Sequence, residues 1–155
     1  MPPSHQQRRN LPPFFTPVKL RARRDGWTGQ VQCAFLAELY LIGAVSVAAV
    51  RVGRSRATAY ALRERSDAEG FAAAWDFVLR GPARPDEPPV RYCRVADWRK
   101  LTLKQLIWMN ETGLWRPVIY RGKMRSIARK PDNSALLRLL RRTDPAPKSV
   151  AGAAR

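Results

Sequence analysis

Gly53 divides a run of helix-forming residues, Val45 to Arg65, into two short pieces, and no other feature limits the folding of this chain as tightly. Before it, Ala48, Ala49 and Val52 make an apolar stripe at helical spacing. Glycine reaches positive φ without steric cost, so the chain can turn there, and Ser55 stands where it can cap a second helix. That helix runs from Ala57 to Leu62, with Ala59 and Leu62 three apart on the face that packs back on the first. Its other face holds Arg56, Ala57, Tyr60, Arg63 and Glu64. Two short helices joined in this way outline a helix-turn-helix, whose second helix fits the major groove of DNA.

Such a pair cannot bury enough surface alone and needs further helices across it. Thr28 is placed to cap one, with Val31, Phe35, Leu39 and Ile42 on its apolar face and Gly43 at its end. After the motif, Ser66-Asp67-Ala68-Glu69 reads as a capping box for a helix bearing Phe71, Trp75, Val78 and Leu79, which stops at Gly81-Pro82. Residues 27–80 therefore read as a helix-turn-helix domain of about four helices. Four prolines between Gly81 and Pro89 exclude a helix or a central strand, making 81–91 a linker.

Residues 92–143 read as a smaller α+β unit. Thr102 caps a short helix through Leu103, Leu106, Ile107 and Trp108, closed by Gly113. Alternation over Trp115–Tyr120 and Met124–Ile127, around Arg121-Gly122-Lys123, predicts a β-hairpin. A last helix starts near Asp132 or Asn133, with Leu136, Leu137, Leu139 and Leu140 on one side and Arg138, Arg141 and Arg142 on the other. Residues 144–155 are expected to be a disordered tail. Residues 1–26 hold five prolines, with Arg8, Arg9, Lys19, Arg21, Arg23 and Arg24, and read as a flexible basic arm, either solvated or following DNA phosphates. The expected fold class is mainly α.

Charge points to the partner. Twenty-nine Lys and Arg against twelve Asp and Glu give a net +17, which selects for polyanions, nucleic acid first. Cys33 and Cys93 lack metal-ligand spacing, and Cys33 sits among apolar neighbours as a core residue would. The apolar run from Ala34 to Val50 is interrupted by Glu38 and is too short to span a bilayer, so no membrane partner is expected. The sole histidine, His5, lies in the arm, and the acids are scattered, so no catalytic residues, metal site, cofactor or small-molecule substrate are expected and the chain does not read as an enzyme. An RNA-binding protein would share the charge, but the basic helix offers only Tyr60 for stacking. A structural protein binding nucleic acid without sequence preference is a further alternative.

The order Phe35-Leu36, Gly43, Ala48-Ala49, Gly53, Ser55, Ala59-Tyr60 and Gly70 to Asp76, followed by Arg116 to Lys123 and Leu136 to Arg141, resembles bacterial and prophage helix-turn-helix proteins of the small-terminase-like type. The two segments cover about half of the chain. The resemblance implies recognition of double-stranded DNA by the second helix of the motif. That recognition serves either phage DNA packaging beside a separate large-terminase ATPase subunit or, alternatively, chromosomal transcriptional regulation, in a bacterial cytoplasm at the nucleoid. A homo-oligomer is compatible with it. Arg54 departs from the apolar residue usual after the turn glycine, either loosening the turn or adding a phosphate contact.

The expected base contacts are Ser55, Arg56, Ala57 and Tyr60, with Arg56 shaped to fork onto guanine O6 and N7. Arg51, Arg54, Arg63, Arg65, Arg21, Arg23 and Arg24 are expected on phosphates. A second basic cluster, Arg116, Arg121, Lys123, Arg125, Arg129, Lys130, Arg138, Arg141 and Arg142, would extend the DNA footprint or bind another acidic partner. Trp108 and Trp115 at its edge are either core or interface anchors.

Overall fold

Thr28 and Gly43 set the limits of the first helix, α1 (Gly29–Ile42), in a computed structural model that describes residues 9–21, 23–80, 86 and 98–143. The Thr28 hydroxyl accepts the Val31 N–H at 3.3 Å, and Gly43, at φ 80°, returns its own N–H to Leu39. The pair α2 (Val45–Arg51) and α3 (Arg56–Arg63) follows, then α4 (Glu69–Leu79). A 3₁₀ turn (Trp98–Lys100) leads to α5 (Leu103–Thr112), β1 (Leu114–Tyr120), β2 (Lys123–Lys130) and α6 (Asn133–Thr143). The fold is mainly helical, with four packed N-terminal helices followed by helix, hairpin and helix. The 81–91 linker, apart from Asp86, and the 144–155 tail lie outside the described residues, as do His5, Arg8 and Cys93.

Local signals account for most of these limits. Thr102 and Gln105 form a reciprocal capping box at the start of α5. Arg121 and Gly122, at φ 50° and 74°, make the two-residue turn between β1 and β2. The Asp132 carboxylate accepts the Ala135 N–H at 3.0 Å and starts α6. The expected box at Ser66 does not form. α4 begins at Glu69 behind Ala68, which offers no side-chain cap, so Ser66 sits two residues too early to serve; the neighbouring Asp67 carboxylate takes two hydrogen bonds from Arg65, both 2.9 Å.

Phe71 centres the core. Its ring lies 6.3 Å from Phe15 and from Trp27, and 5.9 Å from Phe35 and from Trp75, measured between centroids. The helix-turn-helix joins this cluster through Tyr60, 5.2 Å from Trp75, and through Ala48, Ala49 and Ala59, all fully buried. Cys33 is fully buried as well, and desolvation pushes its thiol up to about 12, so it behaves as a small hydrophobe.

Phe15 comes from the segment expected to be a free arm, and the described part of that segment is packed instead. It exchanges both backbone hydrogen bonds with Trp115, at 3.0 and 2.8 Å. Pro12, Pro13 and Pro17 are buried beside it, which is tolerable because proline brings no N–H needing a partner. Arg9 caps the end of α1 through the carbonyls of Tyr40 and Leu41, and Asn10 does the same for α4 through Phe77 and Val78. Gln32, fully buried, latches the segment. Its carboxamide oxygen accepts the Val18 N–H, and its NH₂ donates to the carbonyls of Val18 and Trp27.

The C-terminal unit shares this core. Trp115, Met124 and Ile127 on one face of the hairpin pack on the aromatic cluster, and a Cβ at Gly29 of α1 would come within 2.6 Å of the Trp115 ring. Trp108 donates its indole N–H to Pro17 and Trp115 donates to Thr112, so both tryptophans belong to the frame. The leucines of α6 differ from expectation. Ala135 is its buried residue, whereas Leu136, Leu137 and Leu140 remain 38%, 56% and 51% exposed. At 100° per residue Ala135, Leu139 and Arg142 share a face, and that face turns the other leucines outward.

Candidate nucleic-acid interface

The geometry of the motif follows from small residues. Ala48, Ala49 and Ala59 let α2 and α3 approach closely, and Gly53, at φ 74°, turns the chain between them. The Ser55 hydroxyl accepts the Thr58 N–H at 3.2 Å and starts α3. It also donates to the Thr58 hydroxyl, so its donor and one acceptor position are used locally. Arg56, Ala57, Thr58, Ala61 and Glu64 are exposed. Tyr60 is half-buried, with one contact on Trp75 and another under the Arg56 guanidinium, 5.4 Å from its ring. The sequence-derived base contacts thus fall into two kinds. Arg56 and Ala57 face outward at the helix N-terminus, whereas Ser55 and Tyr60 also serve the fold.

The motif's other arginines have partners within the chain. Arg51 pairs with Glu38 at 3.4 Å, and Arg63 pairs with Asp76 at 2.6 Å while stacking on Trp75. The hydrogen-bonded Arg65 guanidinium holds the Asp67 carboxyl below the usual carboxylate range, and the same bonds raise Arg65. These pairs are largely surface pairs, worth little to stability, and they leave their cations near solvent. Arg54 is different. Its Nε and Nη2 donate to the Gly26 carbonyl at 3.2 and 2.8 Å, and Nη1 donates to Gly53 at 2.9 Å. The departure at Arg54 therefore fastens the preceding loop to the turn rather than loosening it.

That fastening gathers charge. Lys19, Arg21 and Arg23 join Arg65 around a cleft of about 490 Å³ whose apolar lining is Leu20 and Trp27. The Trp27 indole N–H is buried and has no acceptor among the described residues. Arg24 is exposed on the adjoining turn and does not line the cleft. Lys19 belongs to the basic stretch the sequence offers to phosphates, whereas the Gly26 carbonyl as the partner of Arg54 is not legible in the sequence, the anomalous Arg54 being the one signal toward it. Among the described residues no three His, Cys, Asp or Glu side chains come together as metal ligands would, and no helix is long and apolar enough to cross a membrane.

Arg54→Ala is expected to free the loop around Gly26, with Arg54→Lys a poor substitute because it lacks the planar fork. The direct check is amide exchange at Gly26, whose N–H donates to Arg23 at 3.0 Å. Unchanged protection there would rule out the fastening role. Comparison with family models, characterised proteins and solved structures finds no match.

Proposed function

We propose that this protein is a non-catalytic double-stranded DNA-binding protein that reads a short site with α3. The observation that carries the reading is the outer surface of α3. There a fork-shaped cation, Arg56, stands beside the small side chains Ala57, Thr58 and Ala61, all exposed on a helix fixed from behind by fully buried Ala59. Small residues allow the helix backbone to approach base edges, and alanine or threonine methyls suit a thymine methyl. The α3 N-terminus adds N–H groups and partial positive charge for a phosphate. Lys19, Arg21 and Arg23, around the cleft they line with Arg65, supply phosphate contacts without sequence information.

The eight residues of α3 span about 12 Å, enough for a few base pairs. The sequence resemblance to small-terminase-like proteins supports a phage-derived role for that contact, and a large-terminase ATPase gene beside this one would add to it.

Selection from a randomised duplex pool tests the reading. The expected result is one enriched short site, preferred over the same strand alone. Log affinity should fall with log salt at a slope of about −3 to −5, corresponding to about four or five neutralised phosphates. A recovered pool that stays random at every salt concentration would refute site recognition.

A further inference from the structure

The hairpin carries more charge than its packing needs. Between Leu114 and Pro131 there is no acidic residue, while Arg116, Arg121, Lys123, Arg125, Arg129 and Lys130 are all exposed. One hairpin face is explained by the core, since Trp115, Met124 and Ile127 pack against it. The tip is not. Arg121 holds φ 50°, the one non-glycine residue with positive φ among the described residues. A two-residue turn of this type selects Asn, Asp or Gly at that position, because a Cβ there crowds the backbone. Arginine costs the hairpin stability and places a guanidinium at its outermost point. A residue held in a sparse backbone region is a reason to look for function.

Three neighbouring observations converge on the same tip. Tyr120 is 57% exposed, with the Arg121 guanidinium 5.2 Å from its ring. The register slips after Val118, pairing Val118 with Ser126 but Ile119 with Met124, so Arg125 becomes the extra residue of a bulge. Bulges re-aim side chains, and Arg125 is exposed. No carboxylate among the described residues pairs with Arg121, Lys123 or Arg125.

We propose that the hairpin tip, Tyr120 to Arg125, is a second nucleic-acid contact, with Arg121, Lys123 and Arg125 on backbone phosphates and Tyr120 against a sugar or base. Successive cations beside an exposed ring match a partner with repeated phosphates and flat apolar faces better than an acidic peptide, which offers the charge alone. A two-stranded ribbon is also narrow enough to enter a major groove. The inference rests on the nucleic-acid reading above but not on α3.

The testing variant is Arg121→Asn, because it improves the turn while removing the charge. With the full chain, it is expected to raise Tm by about 2–4 °C, so any loss of binding is not a loss of folding. Affinity for a labelled 30-base-pair random duplex is expected to fall about threefold, and the salt slope to shrink by about one. Arg121→Asn with Lys123→Gln and Arg125→Gln should lose tenfold or more. A parallel titration with a thymidine 30-mer separates the two sources of phosphate: loss on the duplex alone assigns the tip to a groove, and loss on the single strand assigns it to unpaired bases. The control is Arg56→Ala, which tests α3. If Arg121→Asn and the triple variant bind both nucleic acids like wild type while Arg56→Ala loses site preference, the hairpin proposal fails and the α3 reading survives. If the hairpin variants lose only binding to polyglutamate, the tip is an acidic-protein site and the proposal is likewise overturned.

Discussion

Gln32→Leu is expected to cost about 3–5 kcal/mol of folding stability and to lower Tm by roughly 10–20 °C. Leucine fits the volume, so the loss is not a cavity. It comes from three backbone groups that the carboxamide now satisfies: the Val18 N–H at 2.9 Å, the Val18 carbonyl at 3.1 Å and the Trp27 carbonyl at 3.0 Å. Each buried group left unpaired costs about 1–3 kcal/mol, and partial rearrangement keeps the sum below the maximum. The consequence should spread along the chain. Val18 lies on the same segment as Phe15, whose ring touches Phe71 and whose backbone is hydrogen-bonded to Trp115. Releasing the latch therefore loosens the segment that ties helix bundle to hairpin. Thermal melts of wild type and variant decide it, and a Tm within about 3 °C of wild type would show that the latch is dispensable.

The same residue shows where the sequence stops being readable. Thr28, Gly43, Ser55, Thr102 and Gly113 announce helix limits because capping acts within one turn of chain, and the turn at Arg121-Gly122 is equally local. Gln32 acts across space. Nothing in its neighbourhood tells a buried carboxamide holding Val18 from a polar residue on a helix surface. The pairing of Phe15 with Trp115 has the same character, joining distant parts of the chain, so a proline-rich basic stretch reads as an arm. Ser66 fails for a different reason: α4 starts at Glu69 behind Ala68, so Ser66 lies two residues ahead of the position from which a side chain could cap it. At the interface, helical spacing was enough to put Arg56 and Ala57 on the outer face of α3. It could not show that Arg63 would meet Asp76, or that Arg54 would turn back to Gly26, because those partners come from other elements.

Arg56→Ala is expected to abolish most of the site preference while leaving the fold intact. Among the motif's arginines, Arg51, Arg63 and Arg65 meet carboxylates and Arg54 meets carbonyls, whereas Arg56 rests on the Tyr60 ring at 5.4 Å. An aromatic face steers a guanidinium without occupying its N–H donors, so the fork stays available for a base edge. Losing one bidentate base contact costs about 1–3 kcal/mol, roughly 5- to 150-fold on the preferred duplex. On a randomised duplex the loss should be only that of one charge, a few-fold and removed by salt. Because Arg56 is exposed, stability should stay within about 0.5 kcal/mol of wild type. Arg56→Lys separates charge from shape: it should restore random-duplex affinity but not the preference, since an ammonium cannot fork. Arg63→Ala supplies the contrast. It removes the pair with Asp76 and the stacking on Trp75, so its effect should appear in Tm and leave the selected sequence unchanged. If Arg56→Ala instead selects the same site as wild type with the same discrimination, α3 is not the reader, and the basic surface binds nucleic acid by charge alone.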